Sequence, residues 1–183
     1  MTMRVGLIGA GIMGADHARI LSSEIPGVSL QYVCDADAAR AKRVADSCGA
    51  AHTTTVALEV IADRSVDAVL VASPDQTHAP LSRACVEARK PVLCEKPLSQ
   101  DSKECLDVIA AEAKGGKRLV QVGFMRRFDP AYVEMKAALA KDVVGPALMF
   151  HCFHRNVSAP SNFTGHGDYE FGAARVRHCA IHA

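Results

Sequence analysis

The sequence predicts an α/β fold: a doubly wound parallel sheet, followed by the beginning of a second α/β domain. Three observations carry this. Short apolar, strand-like runs alternate with helix-like segments from the first residues onward. The repeat has the length of β-α units, which join parallel strands. One run, "DAVLVASP", is apolar almost throughout, as a strand covered on both faces should be.

The elements follow in order. "RVGLIGA" is a short apolar run ending in glycine, and a helix pattern runs from Met13 to about Ser23. "VSLQYVCDAD" is the next strand, and "ARAKRVADSCGA" is a helix closed by Gly49. A short segment near Ala51–Thr54 precedes a helix at about Ala57–Arg64. "DAVLVASP" is the fourth strand, a helix spans about Leu81–Arg89, and "PVLCEKPL" holds the fifth strand. A longer helix, Ser102–Lys114, ends at Gly115-Gly116 and leads into "RLVQVGF". "DPAYVEMKAALAKDVVG" is expected to be helical after Pro130, and "PALMFHCFHRN" to be a strand. The expected division is 1–124 for the sheet domain and 125–164 for the start of the second, with 165–183 a tail that fits neither.

Composition narrows the function classes. With 183 residues, 49% apolar and 22% charged, the chain is ordinary for a protein that buries a core. A net charge of +1 gives no electrostatic case for nucleic acid or an anionic membrane. No apolar run approaches the roughly 18–20 residues that span a bilayer. The start "MTMRVGLIGAGIMG" reads as a first strand and not as a signal peptide. The seven cysteines are odd in number and lack CxxC spacing, so free thiols in a reducing, cytoplasmic setting are expected. The sequons at Asn156 and Asn162 then carry no meaning. His151, Cys152, His154, His178, Cys179 and His182 show no metal-ligand spacing, so no metal site is expected.

"GAGIMG" sets Gly9, Gly11 and Gly14 in G-x-G-x-x-G spacing, directly after the first strand and opening a helix. That context is what a Rossmann-type dinucleotide site requires. Gly9 permits the tight turn, Gly11 lets the backbone approach a diphosphate, and Gly14 allows close helix–strand packing. Ile12 and Met13, between the glycines, share the phosphate turn at a helix N-terminus whose free N–H groups and dipole attract anions. Asp35 ends the second strand 21 residues after Gly14. A carboxylate there accepts both ribose hydroxyls and repels a 2′-phosphate, which predicts NAD as cofactor and not NADP.

"CEKP", Cys94–Pro97, ends the fifth strand. Ligands in such sheets bind beyond the carboxyl ends of the strands, so Glu95 and Lys96 are expected near the nicotinamide end of the cofactor. An ammonium there polarises a carbonyl or holds an alkoxide while hydride moves, although position alone also fits a surface lysine in a loop. "SPDQTHAP" ends the fourth strand, placing Ser73 and Pro74 against the cofactor. His78 in that stretch is either a helix-start residue or a ligand contact.

Taken together, "GLIGAGIMGADHA", "DAVLVASPDQTHAP", "PVLCEKPLS", "QVGFMRRFDPAY" and "FHCFHRN" resemble the Gfo/Idh/MocA family of oxidoreductases over roughly residues 3–164. The resemblance implies an NAD(P)-binding domain joined to a second α/β domain with a large open sheet that carries much of the substrate site. It implies homo-oligomers for intact members and, from the branch it is most similar to, oxidation of a ring hydroxyl of a cyclic polyol such as inositol. Lys96 matches the family's catalytic lysine, and Lys96-Pro97 its cis-proline position. Met125, Arg126, His154 and Asn156 match positions that line the polyol site. By spacing alone, His154 and Asn156 stand two apart on an expected strand and so share a face. "FHCFH" equally fits an amphipathic strand with satisfied histidines.

By the same resemblance a helix bearing a D-x-x-x-H pair should follow, to relay the hydroxyl proton. Phe171 and Arg175 stand there instead. Codons compatible with 165–183, read one base later, can encode "GMAITNSAPHEFDIVRYM", which restores the His but puts Asn or Ser in place of the Asp. A one-base frameshift after Thr164 is therefore expected, leaving a truncated chain that binds cofactor but does not turn over.

Overall fold

A computed structural model describes residues 2–149 and 151. The chain divides into two compact units, Met1–Gly123 and Phe124–Ala183.

The first unit is one six-stranded sheet, every strand parallel to its neighbours, in the order β3-β2-β1-β4-β5-β6. Its strands are β1 (Met3–Ile8), β2 (Val28–Cys34), β3 (His52–Thr54), β4 (Ala68–Val71), β5 (Val92–Cys94) and β6 (Val120–Val122). Helices α1 (Ile12–Ser23), α2 (Ala38–Cys48), α3 (Ala57–Ala62), α4 (His78–Glu87) and α5 (Ser102–Gly115) alternate with them. Alternation sorts β1 and β4 between two cores, and β2 does the same with its phase shifted by one residue at the irregularity opposite Val5 and Gly6. Val5, Leu7, Leu30, Val33 and Leu70 pack with Ala18 of α1 and Ala41 and Ala45 of α2. Ile8, Cys34, Val69, Val71, Val92 and Cys94 pack with Val60 and Ile61 of α3 and Cys85 of α4. Strands apolar on both faces are what two covering helix layers demand. The five described cysteines are free; burial pushes the Cys34 and Cys94 thiols up to about 11 and Cys85 up to about 12.

Local signals set the helix ends. Asp37 caps α2 by accepting the Arg40 N–H at 3.0 Å, and Gly49 closes that helix at φ 67°. Asp101 caps α5 and Gly116 closes it at φ 69°. Helix α4 ends at Glu87, two residues before the expected Arg89, and two further ends differ from the sequence expectation for a visible reason. Helix α3 stops at Ala62, two residues early, where Asp63 turns away to accept from Tyr32 Oη and the Ser65 N–H. Helix α4 begins at His78 and not Leu81, because Pro80 occupies its first turn, where a missing N–H costs nothing.

At the amino end of the sheet Arg4 grips Asp67 three ways: Nη2 to Oδ1 at 2.8 Å, and Nε and the backbone N–H to Oδ2 at 3.0 and 2.8 Å. The guanidinium bonds hold the Asp67 carboxyl at about 2, below its usual 3.8. A depressed carboxylate contributes stability that is full above 3.8 and is lost as pH falls through about 2. Melting temperature is therefore expected to fall more steeply between pH 4 and pH 2 in the protein than in Asp67→Asn; parallel curves would show that the pair adds nothing.

In the second unit, a short 3-10 helix (Met125–Arg127) precedes α6 (Pro130–Ala140), which starts at Pro130 as expected with Asp129 as its cap. The strand expected over "PALMFHCFHRN" is not formed at Pro146–Met149 or His151. A strand needs a neighbour for its backbone groups, and no described residue of that stretch pairs into a sheet. Its remaining positions, His154 and Asn156 among them, and the tail 165–183 lie outside the described residues.

Candidate dinucleotide-binding site

The sheet register brings the motifs together. Ile8, Cys34, Thr54, Val71, Cys94 and Val122 are aligned across all six strands. The next residues extend the row by backbone bonds: Gly9 N to Cys34 O at 2.8 Å, Asp35 N to Thr54 O at 3.2 Å and Ala72 N to Ile8 O at 2.8 Å. Glu95 N to Val71 O at 2.9 Å and Gly123 N to Cys94 O at 2.7 Å complete it. Gly9, Asp35, Ser73, Glu95 and Lys96 thus gather at the carboxyl ends of the strands. Strand order reverses between β1 and β4, the point where such sheets open a crevice for ligands.

Gly9 makes the turn at φ 98°, and a Cβ on it would lie 2.4 Å from Ser73 N and 2.5 Å from Ala72 C. A Cβ on Gly14 would stand 1.8 Å from Gly9 O, so helix and turn touch there. In front of Gly11, by contrast, nothing lies within 4 Å. Gly11 is the N-cap of α1 and brings no side-chain cap; no acidic residue occupies the first turn, and Ile12 and Met13 are both exposed. The first N–H groups of α1 therefore face open space with no carboxylate competing for them. A diphosphate fits this cradle: open above Gly11, closed behind Gly9 and Gly14.

Asp35 is buried, and its carboxylate is already engaged. Oδ2 accepts from Ala10 N at 2.7 Å; Oδ1 accepts from Asp37 N at 2.9 Å and from Arg40 Nη2 at 2.8 Å. Burial pushes its pKa up, but the Arg40 guanidinium and the two N–H groups outweigh this and lower it. A carboxylate offers about four acceptor directions. Three are filled, leaving room for one ribose hydroxyl where the sequence suggested two. Arg40, with its side chain 44% exposed, was not singled out from the sequence.

The other expected residues divide by what their side chains do. Ser73 is half-buried, with Oγ 2.6 Å from Thr77 Oγ1, and Pro74 beside it is exposed. His78, 2% exposed, uses both ring nitrogens, Nδ1 at 2.7 Å from Pro97 O and Nε2 at 2.7 Å from Ser73 O. It is the helix-start residue of the two alternatives, with no ring nitrogen left for a ligand. The Glu95 side chain meets His17 of α1, Oε1 to Nε2 at 2.8 Å. Lys96 is half-buried, is followed by a cis peptide bond to Pro97, and forms no ion pair among the described residues. Met125 and Arg126 sit on the 3-10 helix of the second unit. There Arg126 pairs with Asp129 at 2.7 Å and lies over the Tyr132 ring, 5.3 Å from its centroid.

The model of the Gfo/Idh/MocA oxidoreductase family, described as an NAD-binding Rossmann fold, matches residues 3–124. Inositol 2-dehydrogenase 1 of Saccharopolyspora erythraea is 50% identical over 167 residues, covering 90% of this chain and 49% of that protein. Inositol 2-dehydrogenase of Mycolicibacterium smegmatis is 47% identical over 161 residues, 88% of this chain and 47% of that one. Among solved structures, myo-inositol dehydrogenase from Lactobacillus casei, in complex with NAD(H) and myo-inositol, superposes with a TM-score of 0.76 at 27% identity. That match covers 79% of this chain and 43% of the other. The chain spans about half the length of the curated relatives it matches. By its glycine turn, its strand order and these likenesses, the chain belongs to the Gfo/Idh/MocA family of oxidoreductases and carries that family's NAD-binding Rossmann fold.

Proposed function

We propose that the protein serves NAD-dependent oxidation of a secondary alcohol on a cyclic polyol such as inositol, its first unit being the cofactor half of the site. The observation that carries this is the cradle at Gly9, Gly11 and Gly14 in one row with Asp35 and Lys96. Inositol as the substrate class rests on the relatives' names and on the bound myo-inositol of the Lactobacillus casei enzyme. Bound NAD supplies the acceptor for the hydride.

The chain's own residues do the rest. The N–H groups at the start of α1 hold the diphosphate. Asp35, fixed by Ala10, Asp37 and Arg40, reads a ribose hydroxyl. Lys96 holds the reacting oxygen with its ammonium, stabilising the negative charge that develops there as the hydroxyl proton passes to water. Arg126, His154 and Asn156, the residues expected to orient the ring hydroxyls, and Met125, expected to line the polyol site, all fall in the second unit. A cytoplasmic setting and homo-oligomeric assembly belong to this reading; among the described residues no helix is long and apolar enough to cross a membrane.

Calorimetric titration tests the cofactor. NAD is expected to bind at least about tenfold more tightly than NADP, since like charges about 5 Å apart near a protein surface repel by roughly 3 kcal/mol and Arg40 offsets part of this. Asp35→Asn, which keeps an acceptor but removes the charge, should bring the two affinities together. Equal binding of NAD and NADP by the unsubstituted protein would refute the assignment of Asp35.

A further inference from the structure

We infer that His17 and His78 are positioning residues for Lys96, each holding the backbone on one side of it. This rests on the proposed role of Lys96 and adds what fixes its stance. Neither histidine lies near Lys96 in sequence, and they come from different helices.

On one side, His17 projects from the second turn of α1, the helix whose first turn forms the phosphate cradle. Its Nε2 lies 2.8 Å from Glu95 Oε1, and both side chains are largely withdrawn from solvent, at 24% and 19% exposed. The other carboxylate oxygen, Oε2, accepts the N–H of Lys96 itself at 3.3 Å. The Glu95 carboxyl is lowered, first by the His17 bond, against the pull of its own burial. Gly123 leaves space for this arrangement: a Cβ there would stand 3.4 Å from Cys94 O and 3.6 Å from Glu95 Oε1. On the other side, His78 at the start of α4 ties Pro97 O to Ser73 O, 2.7 Å from each. Both partners are carbonyl oxygens, which only accept. Leu98 then packs into the core below the loop.

The consequence is a chain of contacts from the cofactor cradle to the proposed catalytic amine. Helix α1 holds the diphosphate at its first turn and, one turn later, holds Glu95, which holds the Lys96 amide. An ammonium on a four-carbon stem is a flexible point charge. Fixing its Cα against α1 sets where that charge can reach relative to a dinucleotide seated on the same helix, as oriented catalysis requires.

The test uses the 183-residue chain and two ligands, NAD and ADP-ribose, the second lacking nicotinamide. His17→Ala should accelerate hydrogen exchange at the Lys96 amide at least about tenfold, the value of one hydrogen bond to a charged group. Exchange in β1 and β4 should stay as it was. The same variant should keep ADP-ribose affinity within about twofold while lowering the ratio of NAD to ADP-ribose affinity, a split that general loosening of α1 does not produce. His17→Gln, which retains a donor, should restore both readouts, and His78→Gln should preserve the loop likewise. Unchanged Lys96 exchange in His17→Ala, or ADP-ribose affinity falling as far as NAD affinity, would overturn the inference. If the unsubstituted chain bound neither nucleotide, the NAD reading would fall instead, and the exchange rate at Lys96 would still decide the clasp.

Discussion

Gly11→Ala is expected to fold normally and to lose NAD affinity by roughly 10- to 100-fold, whereas Gly14→Ala is expected to lose the fold first. The two glycines share a motif but meet different surroundings. A methyl on Gly11 touches nothing within 4 Å, and the residue's φ of −68° and ψ of −166° suit any amino acid. Its folding cost is limited to a poorer N-cap, about 0.5–1 kcal/mol. The same methyl stands where a diphosphate must approach the first N–H groups of α1. Losing one charge-assisted bond there costs about 1.5–3 kcal/mol, which sets the expected range. A methyl on Gly14 meets Gly9 O at 1.8 Å and Gly9 C at 2.8 Å, both backbone atoms of the turn. Backbone cannot rotate away as a side chain would, so helix and turn must separate, at about 3 kcal/mol or more. Urea midpoints by circular dichroism report the first quantity and calorimetric titration with NAD the second. A Gly11→Ala protein that binds NAD like the original would place the diphosphate elsewhere.

What the sequence made legible was whatever is local in the chain. The glycine turn, Asp35 at the end of β2, and "CEKP" at the end of β5 each follow a strand that can be read from its own residues. Parallel register then carries them into one row without further information. Three things were not legible because they depend on contacts between distant segments. His17 meets Glu95 across 78 positions, and no periodicity in α1 marks it. Arg40 is one of several cations on α2 until the fold sets it against Asp35 and removes one of that carboxylate's acceptor directions. His78 could be read two ways because its partners, Ser73 O and Pro97 O, are carbonyls that the sequence does not distinguish from any others. The start of α4 differs from the expected Leu81 for a simpler reason. Proline ends a helix in its interior but is welcome in the first turn, and only the structure tells which turn it occupies. The strand expected in the second unit failed at its described residues because alternation alone forms no strand without a partner to pair with.

Lys96→Ala is expected to lower turnover about 10²- to 10³-fold, the range for losing one group that stabilises charge developing on the reacting oxygen. NAD affinity should change by less than about threefold, because in the proposed site the diphosphate and adenosine ribose rest on α1 and Asp35 and not on this side chain. The backbone should survive the substitution. The bonds that hold this loop come from the Lys96 amide, the Glu95 carboxylate and the Pro97 carbonyl, all of which alanine at position 96 leaves in place. The variant therefore separates the amine from its setting, which His17→Ala does not. Lys96→Arg is expected to fail as well, since a planar fork cannot stand in for a compact ammonium at an oxygen. The assay follows NADH formation with inositol at saturating NAD, and a parallel titration measures NAD affinity. Where the 183-residue chain alone gives no turnover, the same substitutions are made with the second half of the Saccharopolyspora erythraea relative joined to it. A Lys96→Ala protein that keeps near-normal kcat would make the lysine a bystander and move the chemistry to the second unit. One that loses kcat and NAD affinity in equal measure would show that Lys96 binds cofactor and does not act on the substrate oxygen.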